Sequence, residues 1–95
     1  MKKNKSPARI VFTSERNHSN IVQNGLSLSL ANSIDWASVW ARPGQFETRA
    51  TAKLVSGEIV VLAYRDTHDD APVRRINLLR YPTADEAERY KARKG

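Results

Sequence analysis

The groups of this 95-residue chain that can do chemistry are guanidiniums and carboxylates. There is no cysteine, which removes thiolate nucleophiles, disulfides and Cys-ligated zinc. His18 and His68 stand 50 positions apart with no ligand spacing around either, so neither a metal nor a cofactor is expected. Glu47 and Arg49, two apart in an alternating segment, point the same way. Arg16 and Asn20, four apart, share one face of a helix. Arg75 and Arg80 bracket a third segment. A guanidinium offers a planar fork of donors that stays charged, which suits an anion and makes it a poor base. The 16 Lys and Arg against 10 Asp and Glu leave a charge of +6, so a polyanionic partner is expected, either nucleic acid or an acidic protein.

These residues need elements to position them. Residues 1–8 read as a basic, flexible arm, and 9–95 as a single domain. Arg9-Ile10-Val11-Phe12 reads as a strand. Ser14 then caps a helix, with Glu15 in its first turn and Gly25 closing its C-terminal end. Its only large apolar residues are Ile21 and Val22, which places it on the surface. Ser27 caps a second helical stretch, since Leu30, Ala31 and Ile34 share a helical face; the alternation of Leu26, Leu28 and Leu30 also fits a strand. Trp36 and Trp40 follow, and Arg42-Pro43-Gly44 breaks the segment.

From Gln45 the period becomes two. Phe46, Thr48, Ala50, Ala52 and Leu54 fall on one side, and Glu47, Arg49, Thr51 and Lys53 on the other. After a turn at Ser56-Gly57, Ile59 to Tyr64 is apolar at consecutive positions, as in a central strand covered on both faces. A polar loop over 65–72 leads to a second alternating run, Val73 to Leu79. The three strands read as an antiparallel meander. Thr83-Ala84-Asp85-Glu86 forms a capping box, so a C-terminal helix follows with Lys91, Arg93 and Lys94 at its cationic end. The expected fold is α+β: a small antiparallel sheet of three to four strands, with two N-terminal helices and one C-terminal helix packed on it. No apolar run approaches the roughly 20 residues that span a bilayer. With no apolar segment behind the basic Met1-Lys2-Lys3, a cytoplasmic address is expected.

Two segments resemble the BrnT family, small ribonuclease toxins of type II toxin–antitoxin modules with a RelE-like fold. In Phe12-Thr-Ser-Glu-Arg16-Asn-His-Ser-Asn20-Ile-Val-Gln-Asn24-Gly25-Leu26, the residues Asn20, Gly25 and Leu26 match the family pattern, and Arg16 stands for its Lys. Thr13 replaces an Asp and Asn24 replaces a His. In the second segment Arg75, Ile76, Arg80, Thr83, Glu86 and Tyr90 all match, while Leu78 replaces a Ser. Glu47 and Arg49 resemble the family's Glu and Arg on the strand ahead of a Gly turn.

The resemblance implies metal-independent RNA cleavage, in which the ribose 2′-hydroxyl attacks the adjacent phosphate. Arg49 and Arg80, with Arg75, are then the candidates for gripping that phosphate. Glu47 becomes either the general base or the salt-bridge partner that holds Arg49. Arg16 and Asn20 become substrate-binding residues, for a second phosphate or the ribose. The resemblance further implies RNA as substrate and a ribbon-helix-helix antitoxin resembling BrnA, through which a higher-order complex binds operator DNA. Trp36, Trp40 and Phe46 are the expected partner surface. The departures at Thr13 and Asn24 leave a second expectation: a catalytically weakened homologue that binds the antitoxin as a co-repressor.

Overall fold

The computed structural model describes residues 9–67 and 72–93. The basic arm, His68 and Lys94 lie outside the described residues. In chain order the elements are β1 (Arg9–Val11), α1 (Ser14–Asn24), a 3₁₀ segment (Leu28–Ser33), β2 (Ile34–Pro43), β3 (Thr48–Leu54), β4 (Ile59–Asp66), β5 (Val73–Arg80) and α2 (Ala84–Arg93). They form one five-stranded sheet in the order β1-β5-β4-β3-β2. β2 to β5 make the expected antiparallel meander, and β1 joins β5 in parallel over Val73–Arg75. The fold is thus α+β as expected, but the sheet is mixed and has five strands rather than three or four.

The second N-terminal helix is not formed. Leu28–Ser33 makes only a 3₁₀ segment, and Ile34, Trp36 and Trp40 belong to β2. Local polar groups explain the short turn: the Ser27 hydroxyl accepts from Ser29 N–H, Asn17 Oδ1 accepts from Leu28 N–H, and Asn32 donates to the Ser29 carbonyl. Such bonds compete with a continuing helical ladder, and Ile34, Trp36, Val39 and Trp40 favour a pleated, half-buried strand.

Both true helices carry clear end signals. Thr13, not Ser14, is the N-cap of α1: it is extended, and its hydroxyl accepts from Arg16 N–H at 3.1 Å. Gly25 closes α1 at φ +76°, where an L side chain is disfavoured, and donates to the Ile21 carbonyl at 2.8 Å. Ahead of α2 the capping box is closed in both directions: Glu86 N–H donates to Thr83 Oγ1 at 3.1 Å and Thr83 N–H to Glu86 Oε1 at 2.9 Å.

The sheet has two unlike faces. On the core face Ala50, Ala52, Leu54, Val60, Leu62, Tyr64, Ile76 and Leu79 are buried against Leu26, Leu28, Ala31 and Ile34. At one end of this face Arg74 stacks over Trp36 (4.6 Å) and Tyr64 (4.3 Å) and grips Asp66 through two bonds of 2.7 and 2.8 Å. On the second face Thr51, Val61 and Ala63 are buried. Two contacts carry α2 across this face: Glu86 binds Arg80 of β5, and the buried Tyr90 hydroxyl donates to the Ser38 carbonyl of β2 at 2.6 Å. α2 therefore covers the half of the face around Val61, and the half toward Glu47, Arg49, Arg65 and Arg75 stays open.

Candidate functional site

Strand register assembles the site. Residues paired across an antiparallel ladder share a face. Arg42 of β2 is opposite Arg49 of β3, which is opposite Ala63 of β4 and, through it, Leu78 of β5. Two residues further along β4, Arg65 is opposite Arg75 of β5. All four arginines stand on the second face, Arg49, Arg65 and Arg75 on its open half and Arg42 at the boundary, where it shares a hollow with Trp40, Thr51 and Glu86 and Arg89 of α2. Like charges directly opposite one another destabilise a sheet, so two opposed arginine pairs on one face are a cost that an anionic ligand would relieve.

A bulge completes the cluster. The β4–β5 pairing passes from Ala63↔Leu78 to Tyr64↔Ile76, which leaves Asn77 as the extra residue. Its amide reaches over β4 and donates to Glu47 Oε1 at 3.4 Å, while Arg49 Nε lies 3.7 Å from Glu47 Oε2. The small side chain of Ala63 leaves room for this span. Glu47 is placed by the tight β2–β3 connection, in which Gly44 N–H donates to the Glu47 carbonyl at 2.9 Å. A Cβ at position 44 would lie 2.7 Å from that same oxygen, so the turn requires glycine.

An open cleft of about 500 Å³ runs between α1 and this face, lined by Thr13, Arg16, Arg65, Asp66, Arg75 and Asn77 among others. Of the expected site residues it brings Arg16 and Arg75 together, and Asn77 links Glu47 and Arg49 to its rim. Arg65 and Asn77 were not singled out by the sequence. Arg65 has a readable signal, an exposed charge closing an apolar strand in register with Val61 and Ala63. Asn77 has none, because its direction depends on the bulge.

Arg80 shares the face but not the cleft. Its fork is spent on Glu86, with bonds of 2.7 and 2.8 Å, and Nη1 also donates to the Tyr81 carbonyl. The bonds from Arg80 and from Thr83 N–H hold the Glu86 carboxyl at about 2, well below its ordinary value. This geometry is that of a brace between β5 and α2.

Asn20 is buried away from the cleft. Its amide donates to the Leu79 and Leu26 carbonyls at 2.8 Å each, and its oxygen accepts from Leu79 N–H and from Asn24 Nδ2. Every polar position is taken up inside the protein, so Asn20 is not placed beside Arg16 to meet a ligand. Asn24, at the position where the family pattern has a His, is its buttress.

The expected partner residues are likewise separated. Trp36 meets Tyr64 edge-on at 6.0 Å beneath Arg74. Trp40 lies on the second face under Arg42 (5.0 Å), and Phe46 projects from the β2–β3 turn. Among the described residues no group of three or more His, Asp or Glu is placed to hold a metal ion, and no helix is long and apolar enough to cross a membrane.

Fold and face together are those of a small α+β protein with arginines gathered at an open cleft. The chain is similar in structure to the ribonuclease toxin BrnT of Brucella abortus: the TM-score is 0.65, over 81% of this chain and 99% of that one, at 12% sequence identity. At that identity the likeness is one of fold. No family model matches the sequence, and no curated protein does.

Proposed function

We propose that this protein is a ribonuclease toxin of a type II toxin–antitoxin module, cleaving RNA without a metal on the open half of the second face. The observation that carries this reading is the pair of opposed arginine pairs, Arg42/Arg49 and Arg65/Arg75, beside a carboxylate held by Asn77 and Arg49. Arginines grouped this way hold a phosphate and stabilise the extra negative charge of its pentacoordinate state. Glu47 takes the proton of the ribose 2′-hydroxyl as that oxygen bonds to phosphorus. The bond to the 5′-oxygen then breaks, the departing oxygen takes a proton from water, and a 2′,3′-cyclic phosphate remains. Arg16, across the cleft, binds a neighbouring phosphate. Arg80 serves the site indirectly, by fixing α2 at the boundary of the open half.

The fold likeness and the resemblance in the two motifs also support a partner: a ribbon-helix-helix antitoxin resembling BrnA, which silences the cytoplasmic toxin and carries the complex to operator DNA. A second reading, a weakened homologue acting as antitoxin-binding co-repressor, is favoured by one observation. Asn24 holds the family's His position, and its carboxamide, spent on Asn20 at 2.9 Å, does not ionise near neutral pH and cannot shuttle a proton.

The test is cleavage of RNA in EDTA by wild type, Arg49→Ala, Arg75→Ala and Glu47→Gln. Wild type is expected to leave 2′,3′-cyclic ends, and each variant to lose on the order of 10²-fold in rate. An inactive wild type that still binds a ribbon-helix-helix partner without arresting growth establishes the co-repressor reading. Unimpaired variants remove the catalytic assignment.

A further inference from the structure

We infer that Phe46 is a stacking platform for a nucleobase, and that the arginine face therefore takes single-stranded rather than duplex RNA. This rests on the reading of that face as a phosphate-binding surface and adds the form of the polyanion. Phe46 is 72% exposed at the tip of the β2–β3 turn, where a ring has no packing role. It lines a hollow of about 360 Å³ with Glu47, Thr48, Tyr64, Arg65 and Asp66, at the strand ends where the two faces of the sheet meet. That hollow shares Arg65 and Asp66 with the main cleft, so the two adjoin at these residues. Asp66 does not repel a strand passing between them, because its carboxylate is gripped by Arg74.

The cationic groups are spaced for a flexible strand. Arg49 and Arg65 are diagonal neighbours on adjacent strands, about 7–8 Å apart at the backbone. This is comparable to the step between successive phosphates in an extended chain. A strand with phosphates at Arg65/Arg75 and near Arg49 would bring a base beside the Phe46 ring. Stacking of that kind needs an unpaired base with a free face, and a duplex offers none along its length. An exposed ring next to arginines also fits a protein partner, but an apolar protein contact would not require an aromatic plane.

The experiment measures binding of a labelled 2′-O-methyl RNA strand, which lacks the attacking hydroxyl, and of its perfect duplex. Wild type is compared with Phe46→Ala, Phe46→Leu and Phe46→Trp. The strand is expected to bind more tightly than the duplex. Phe46→Ala and Phe46→Leu should weaken strand binding roughly 5- to 150-fold, and Phe46→Trp should retain it. Thermal melts should not move in any variant, since the ring is exposed. Equal affinity for strand and duplex overturns the inference. So does a Leu or Ala variant that binds the strand like wild type, whatever it does to a protein partner. In either case salt-sensitive binding leaves the phosphate-binding face in place, whereas a wild type that binds neither probe removes both.

Discussion

Asn20 shows how a single side chain can stand in for a strand. β1 covers β5 only over Val73–Arg75, so the outer edge at Leu79 has no neighbouring backbone. The Asn20 amide carries the same donor and acceptor as a peptide group, and presents both to Leu79. Asn20→Ala would leave the Leu79 amide and carbonyl and the Leu26 carbonyl buried and unpaired. The expected loss is about 3 kcal/mol, read as a fall in the urea midpoint with unchanged slope. Arg16→Ala, at an exposed position one turn earlier on the same helix, should stay within about 0.5 kcal/mol of wild type. Equal effects would mean that Asn20 does not plug the edge.

At the scale of elements, the capping box does more than start a helix. Glu86 accepts from Thr83 at the helix entry and from both arms of Arg80 on β5, so one carboxylate ties α2 to the sheet. Its folded value of about 2 lies below the ordinary 4.5, so the stabilisation is complete above about pH 4.5 and disappears as pH falls toward 2. Urea melts through that window should show stability falling with acidity, and Glu86→Gln should flatten that part of the profile. Arg80→Ala is expected to lower the melting temperature at neutral pH. The motif was legible because it is local: cap, carboxylate and helix lie within four residues. The 3₁₀ segment was not, because Leu30, Ala31 and Ile34 fit a helical face until the serines, Asn17 and Asn32 are seen taking the backbone bonds.

Across the whole molecule, charge is sorted by face. The core face carries one stacked and paired arginine, Arg74, while Arg49, Arg65 and Arg75 stand on the open half of the other and Arg42 stands at its boundary with α2. If these bind phosphates, the affinity for a single strand falls linearly with the logarithm of salt concentration. Arg42→Ala and Arg65→Ala should each lower that slope by about 0.7. Titrations at several salt concentrations measure it, and an unchanged slope in both variants would show that the face holds no phosphate.

What the sequence by itself determined is whatever depends on neighbours along the chain: the meander's three alternating or apolar runs, the Gly25 stop, the capping box, and the same-side placement of Glu47 and Arg49. Period and caps act over a few residues, so they survive without knowledge of the rest. Only the tertiary structure decided which arginines meet. Arg75 joins Arg65 because of strand register, Asn77 reaches Glu47 because of a bulge, and Arg80 is withdrawn because α2 crosses its half of the sheet. Register, bulge and crossing are set by packing between distant segments, and a side chain's chemistry depends on the face to which that packing turns it.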